Sequence, residues 1–236
     1  MPVPFFSLRD QTSALKDEVL RRFAEVIDTA GFANGPAVAR FEEELAAYLG
    51  VRHVVCVNSG TSALHGALIA AGVKAGDDVI TVAHTWISTA WAISYAGARP
   101  VFVDVERSTF GLDPRQLERA LTPKTRAILP VHLYGHPVNM DPILAFAASH
   151  GLAVIEDCAQ SIGATYKGKK TGSLGLVNAT SFYPSKNLGA YGEGGAVLTD
   201  DAGIATRVRQ LRDHAQTARH HHVELGAPLW VEQLGG

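Results

Sequence analysis

The sequence predicts an α/β fold built on a mostly parallel β-sheet buried on both faces, and three observations carry that expectation. Short apolar, β-branched runs alternate with helical segments along the chain. Several of these runs are apolar throughout, as strands covered on both faces are. Turn and capping residues close them, as in HVVCVNSG, where Asn58, Ser59 and Gly60 end a strand and open an alanine-rich helix.

The elements follow in order. SALKDEVLRRFAEVIDTA, residues 13–30, carries apolar positions at helical spacing, with Gly31 as its stop. A second helix fits PAVARFEEELAAYLG, opened by Pro36 and closed by Gly50. HVVCV is then the first strand, and TSALHGALIAAG the helix that follows it. DDVITVA, RPVFVDV, RAILPVHL, LAVIEDC and AVLTD supply further strands, with TAWAISYAG, DPRQLERAL and MDPILAFAASHG as helices between them. No repeat, low-complexity tract or long linker interrupts the pattern.

Composition narrows the function classes. The chain has 236 residues, 47% hydrophobic and 19% charged, enough to bury a sizeable core. A formal charge of −2 provides no basic field for nucleic acid or anionic lipid, so a small partner is expected. The start, MPVPFFSLRD, lacks a basic stretch followed by an apolar one, and no apolar run reaches the roughly 18 residues of a membrane span. A cytoplasmic location is the expectation. Cys56 and Cys158 sit in or beside strand-like runs, which favours buried free thiols over a disulfide or a metal pair.

Four stretches carry candidate chemistry. Asn58-Ser59-Gly60-Thr61-Ser62 lies between a strand and a helix, where free N–H groups and the helix dipole suit an anion; a plain N-cap fits the same residues and is the commoner use. Ile155-Glu156-Asp157-Cys158-Ala159-Gln160 ends a strand in carboxylates, at the edge where parallel sheets present catalytic groups; a solvated loop fits equally. Trp86, after VITVA, offers a flat face for a ligand ring or packs in the core. In PVHLYGHP, packing competes with catalysis for His132 and His136, and His220-His221-His222 reads as a solvated helix end without metal-ligand spacing.

The fourth stretch is SFYPSKNLGAYGEGGAV, residues 181–197, whose lone ammonium, Lys186, stands among hydroxyls and glycines. A phosphate anchor, a carboxylate, a flat aromatic and a lysine on one strand-end surface are the parts a pyridoxal phosphate enzyme needs. The lysine joins the cofactor aldehyde when its amine is neutral, and the carboxylate keeps the pyridine nitrogen protonated.

These motifs, with GPAVARFEEELAAYLG, SGTSAL, HTWISTAWAI, PVFVDV, ILPVHLYGHP, VIEDCAQSIGA and YKGKKTGSLG, resemble in order the DegT/DnrJ/EryC1/StrS sugar aminotransferases from about residue 5 to about residue 215. The resemblance implies the three-layer, seven-stranded large domain of the pyridoxal-phosphate-dependent transferases, over residues 31–215, after an N-terminal helical segment at 1–30. It implies that Lys186 binds the cofactor and moves a proton, that Asp157 pairs with the pyridine nitrogen, and that Gln160 meets the phenolic edge. Gly60, Thr61 and Ser181 would hold the phosphate, and Trp86 would stack on the ring. The implied substrates are a nucleotide-linked keto-sugar and glutamate, and the implied assembly of full-length members is a homodimer. A subgroup with histidine at the lysine position carries out dehydration instead, and Lys186 argues against that reading here.

The resemblance implies a smaller C-terminal domain beyond the large one, which is expected to be largely missing, with residues 216–236 expected to be a divergent tail. From about Gly226 the residues differ, with Pro228 and Trp230 where polar residues belong, and Leu229, Trp230, Val231 and Leu234 are expected to be exposed. Three functional readings follow: an aminotransferase or its large-domain fragment, a cofactor-binding but inactive regulator or assembly partner, and a remnant without activity.

Overall fold

The computed structural model describes residues 3–218 and 220–222. The apolar runs form His53–Val57 (β1), Asp78–Val82 (β2), Arg99–Val103 (β3), Thr125–Ile128 (β4) and Ala153–Asp157 (β5), which join Val177–Ser181 (β6) and Gly195–Thr199 (β7) in one sheet. The spatial order is β1-β7-β6-β5-β4-β2-β3. Pairing is parallel from β6 through β5, β4 and β2 to β3, and β7 runs antiparallel to both β6 and β1. The mostly parallel seven-stranded sheet expected from the sequence is present, with β7 as its reversed strand.

Strand alternation sends neighbouring side chains into different layers. Val54 and Cys56 join Leu45 and Leu49 of helix Pro36–Leu49 (α2), after Arg9–Thr29 (α1), in one apolar cluster. Val55 and Val57 join Ala63, Ala67 and Leu68 of Gly60–Ala70 (α3) in the other. The remaining helices are Ser88–Tyr95 (α4), Leu117–Ala120 (α5), Met140–His150 (α6) and Ala202–Arg212 (α7). Partly buried Arg212 ties three elements together: its Nη1 donates to Glu42 Oε1 on α2 at 2.6 Å and to the Cys56 carbonyl on β1 at 3.0 Å.

Pro36 opens α2, and Gly50, at φ 75°, closes it with its N–H on the Ala46 carbonyl. The first helix stops one residue earlier than expected, at Ala30 in the left-handed region with its N–H on Ile27, so Gly31 is not the stop. No residue of α1 is buried. The expected helix DPRQLERAL is a 3-10 turn at Pro114–Gln116 followed by the single-turn α5.

Strand β6, helix α7 and the short antiparallel pair Thr165–Tyr166 with Lys169–Lys170 were not anticipated from the sequence. The three histidines at 220–222 are not a helix end: α7 stops at Arg212, and His221–His222 pairs antiparallel with Gln216–Ala218. His220 takes φ 68°, which breaks helical geometry. Cys56 and Cys158 are buried free thiols. Burial, assisted by the Glu42 carboxylate, pushes the Cys56 thiol up to about 12, and burial raises Cys158 as well. Residues 223–236, with the divergence expected from Gly226, lie outside the described residues. Among the described residues no helix is long and apolar enough to cross a membrane.

Candidate active site

Register brings three strand ends together. Gly195, at the start of β7, pairs with Val57 at the carboxyl end of β1 and with Ser181 at the carboxyl end of β6. Asp157 closes β5, one strand further on. Parallel sheets bind ligands at this edge, and a cavity of about 500 Å³ opens there.

The first wall is the N-terminus of α3. Ser59 caps the helix, its Oγ accepting the Ser62 N–H at 3.1 Å, so the capping use of this turn is real. The turn also meets β6 at a distance that excludes side chains. A Cβ on Gly60 would stand 2.6 Å from the Ser181 Cβ, and one on Gly195 2.4 Å from the Ser59 carbonyl oxygen. Thr61 Oγ1 donates to Ser88 Oγ at 2.8 Å, and Ser59, Gly60, Thr61, Ser88 and Ser181 all line the cavity. Unpaired N–H groups of a first helical turn beside a ring of hydroxyls suit a phosphate.

The same cavity is lined by Asp157, which is 5% exposed. Its Oδ2 accepts from Thr89 Oγ1 at 2.9 Å and its Oδ1 from the Ala159 N–H at 3.1 Å. Burial pushes this carboxyl above the ordinary range, and the Ala159 N–H, the Thr89 hydroxyl and the Lys186 ammonium pull against that shift. Gln160 Oε1 accepts the backbone N–H of Tyr134 at 2.7 Å, which turns the amide so that its Nε2 is the end left to donate into the cavity. Trp86 lines the mouth with 69% of its surface exposed, so it is not a core tryptophan.

Lys186 completes the set, from a turn in which its N–H bonds the Tyr183 carbonyl. It is the one cation among the described residues that line the cavity. The seven residues singled out from the sequence, Gly60, Thr61, Trp86, Asp157, Gln160, Ser181 and Lys186, therefore face one cavity. Thr85, Ser88, Tyr183, Ser185 and Glu193 also line it and were not singled out individually. Thr85 and Ser185 stand directly beside Trp86 and Lys186, and Tyr183 and Glu193 fall within the stretch 181–197; that placement was the signal available for them.

Glu156 goes elsewhere. It is wholly buried, with Oε1 accepting the N–H groups of Leu174 and Gly175, and Oε2 accepting from Gly172 N–H and His132 Nε2. His132, Glu156 and Cys158 place potential metal-ligating atoms within 4.8 Å of one another. Four donors already saturate that carboxylate, so the group is a hydrogen-bonded network of the core. His132 is a packing residue, and His136 is exposed outside the cavity lining.

This fold and edge arrangement are those of the pyridoxal-phosphate-dependent aminotransferases. The crystal structure of DesV from Streptomyces venezuelae in complex with a ketimine intermediate superposes with a TM-score of 0.95 at 43% identity, covering 98% of this chain and 62% of that one. NtdA from Bacillus subtilis with bound cofactor PMP gives 0.93 at 36% identity, covering 98% and 53%. The chain belongs to the DegT/DnrJ/EryC1/StrS aminotransferase family, whose model matches residues 13–229. Among curated relatives, the pleiotropic regulatory protein of Geobacillus stearothermophilus is 47% identical over 99% of this chain. The UDP-2-acetamido-2-deoxy-3-oxo-D-glucuronate aminotransferase of Pseudomonas aeruginosa is 43% identical over 98%. The chain spans 63% and 65% of the lengths of these two relatives.

The cofactor of the family is pyridoxal phosphate, and the residues present fit it. The fit rests on the approach of Gly60 to Ser181, which leaves a cradle with no side chain on Gly60 at a helix N-terminus, and on a buried carboxylate lining the same cavity.

Proposed function

We propose that this chain is the cofactor-binding part of an aminotransferase that moves an amino group from glutamate to a nucleotide-linked keto-sugar. The observation that carries this reading is the single cavity shared by Lys186, Asp157 and the Gly60–Ser181 cradle. Bound pyridoxal phosphate supplies an aldehyde to carry the amino group and a ring to withdraw electrons. In this reading the α3 N-terminus, Thr61 and Ser181 hold the phosphate, and Trp86 covers one ring face. Asp157 accepts the pyridinium N–H, Gln160 orients the phenolic edge, and Lys186 takes and returns protons at its Nζ. The sugar class is supported by the family match and by the Pseudomonas relative's name. A cytoplasmic site of action and a homodimeric full-length protein belong to the same reading.

The test begins with absorbance. The purified chain with pyridoxal phosphate should show the long-wavelength band of a lysine-bound aldehyde, which borohydride removes and a Lys186→Ala variant lacks. Glutamate should then convert the bound cofactor to its amine form. Folded protein with no such band sinks the reading.

A second reading has its own support, since the Geobacillus relative carries a regulatory name. In it the chain binds cofactor without turning it over and serves as a regulator or assembly partner. Cofactor binding without conversion by glutamate selects this reading.

A further inference from the structure

Thr89 stands at the start of α4, just beyond the carboxyl end of β2, and is wholly buried. Its Oγ1 lies 2.9 Å from Asp157 Oδ2, and Thr85 Oγ1 lies 2.9 Å from Thr89 Oγ1. A hydroxyl carries one proton, and an ionised carboxylate has none to give. The Thr89 proton is therefore committed to Asp157, and Thr85, at the cavity wall, must donate to Thr89. This directed hydroxyl chain lies beside the carboxylate, whose other oxygen holds the Ala159 N–H. Each carboxylate oxygen thus has one donor and keeps a lone pair for a donor in the cavity.

We infer that Thr89, backed by Thr85, is a positioning residue that holds the Asp157 carboxylate in one orientation to receive the pyridinium N–H of the cofactor. The inference rests on the cofactor reading above and adds two residues to it. The physical need is plain. A carboxylate this buried is destabilised in its charged form and needs donors fixed in place. The charged and titratable groups around it are Lys186 from the segment after β6, His132 from the segment after β4, and Cys158 and Glu156 beside it in sequence. Of these, Glu156 is occupied by its own four donors. Among the described residues, Thr89 is the side chain that donates a hydrogen bond to Asp157.

Thr89→Val keeps the side-chain shape and removes the hydroxyl, Thr89→Ser keeps the hydroxyl, and Thr85→Val removes only the second link. In the cofactor-free chain, carbon NMR of the aspartate carboxyls, with Asp157 assigned through Asp157→Asn, should show the Asp157 titration moved upward by about one pH unit in Thr89→Val. Thr89→Ser should titrate like wild type, and Thr85→Val should fall between. Pyridoxal phosphate affinity, followed by tryptophan fluorescence, should weaken about tenfold in Thr89→Val and less than about twofold in Thr89→Ser. If Thr89→Val does not fold, the other two variants still decide. An unchanged titration and affinity in Thr85→Val and Thr89→Val, or an equal loss in Thr89→Ser, overturns the inference. Failure of the wild-type chain to bind cofactor overturns the cofactor reading instead, and the Asp157 titration still decides what Thr89 does.

Discussion

His132 Nε2 lies 2.8 Å from Glu156 Oε2, and neither side chain has any exposed surface. His132 Nδ1 accepts the Val138 N–H, so the ring proton sits on Nε2 and a neutral imidazole donates to the carboxylate. With the N–H groups of Gly172, Leu174 and Gly175, this bond ties β5 to two flanking turns. Glu156→Ala strands four donors in the core and should cost about 3–5 kcal/mol. Denaturant unfolding measures it, and a variant as stable as wild type contradicts the network.

Gly60→Ala tests the cradle. The added Cβ would stand 2.6 Å from the Ser181 Cβ, so one backbone must move, at a cost of about 1–3 kcal/mol. Cofactor affinity should fall with it. A second change, Ser181→Gly, should recover most of the stability and not the affinity, because it removes the clash together with a proposed phosphate ligand. Additive losses in the double variant would refute a direct clash.

Arg212 and Glu42 form a pair with side chains only 11% and 13% exposed. Arg212→Met should lose about 3 kcal/mol, and the loss should persist at high salt. The Arg21 pairs with Glu18 and Glu25 on α1 involve side chains about half exposed, and Arg21→Ala should leave stability nearly unchanged, with any loss vanishing at high salt. Melting both variants at two salt concentrations separates the cases.

Acid should unfold the protein partly through Asp78 and Asp113. The Arg99 and Arg115 guanidiniums, each bonded to both carboxylate oxygens, hold these groups at about 2. Their folded values lie below the unfolded value of about 3.9, so their stabilisation is present above about pH 4 and is lost as pH falls toward 2. Arg99 and Arg115 are 68% and 81% exposed, which screens each contribution to about 1 kcal/mol. Asp157, raised by burial, has the opposite sign and offsets part of the loss. The Asp78→Asn, Asp113→Asn double variant should show a flatter fall in denaturant midpoint across this range. An unchanged slope would assign acid unfolding to other groups.

Trp86→Ala should weaken pyridoxal phosphate binding roughly three- to tenfold, the worth of one ring stack, while Trp86→Phe keeps most of the affinity. With 69% of its surface exposed, Trp86 has little packing to lose, so thermal stability should stay within about 0.5 kcal/mol of wild type. A large stability loss in Trp86→Ala would mark it as a core residue after all.

Much of the frame was legible because burial on both faces leaves a plain mark. Val54–Val57 and Ala153–Ile155 are apolar throughout, and Val79–Val82 is apolar but for Thr81, runs that no solvated segment would carry. Strand β6, VNATS, lacks that mark. It is central and buried, yet its interior holds Asn178 and Thr180, whose side chains bond the Gly172 and Cys158 carbonyls. The partners that satisfy these polar side chains, 6 and 22 residues away along the chain, lie outside the strand itself, and periodicity cannot foresee them.

Local sequence therefore determined which segments become strands and helices, and which residue types stand at the strand ends, since apolar patterning and capping act over a few neighbours. The resemblance names Asp157 and passes over Glu156, and only the tertiary structure shows what sets these two adjacent carboxylates apart. Successive strand side chains point to opposite faces, so Glu156 turns to His132 and the turn at 172–175, while Asp157 turns to Thr89 and the cavity. Which face is core network and which is active site depends on the elements packed against each, and those are brought there by the sheet order.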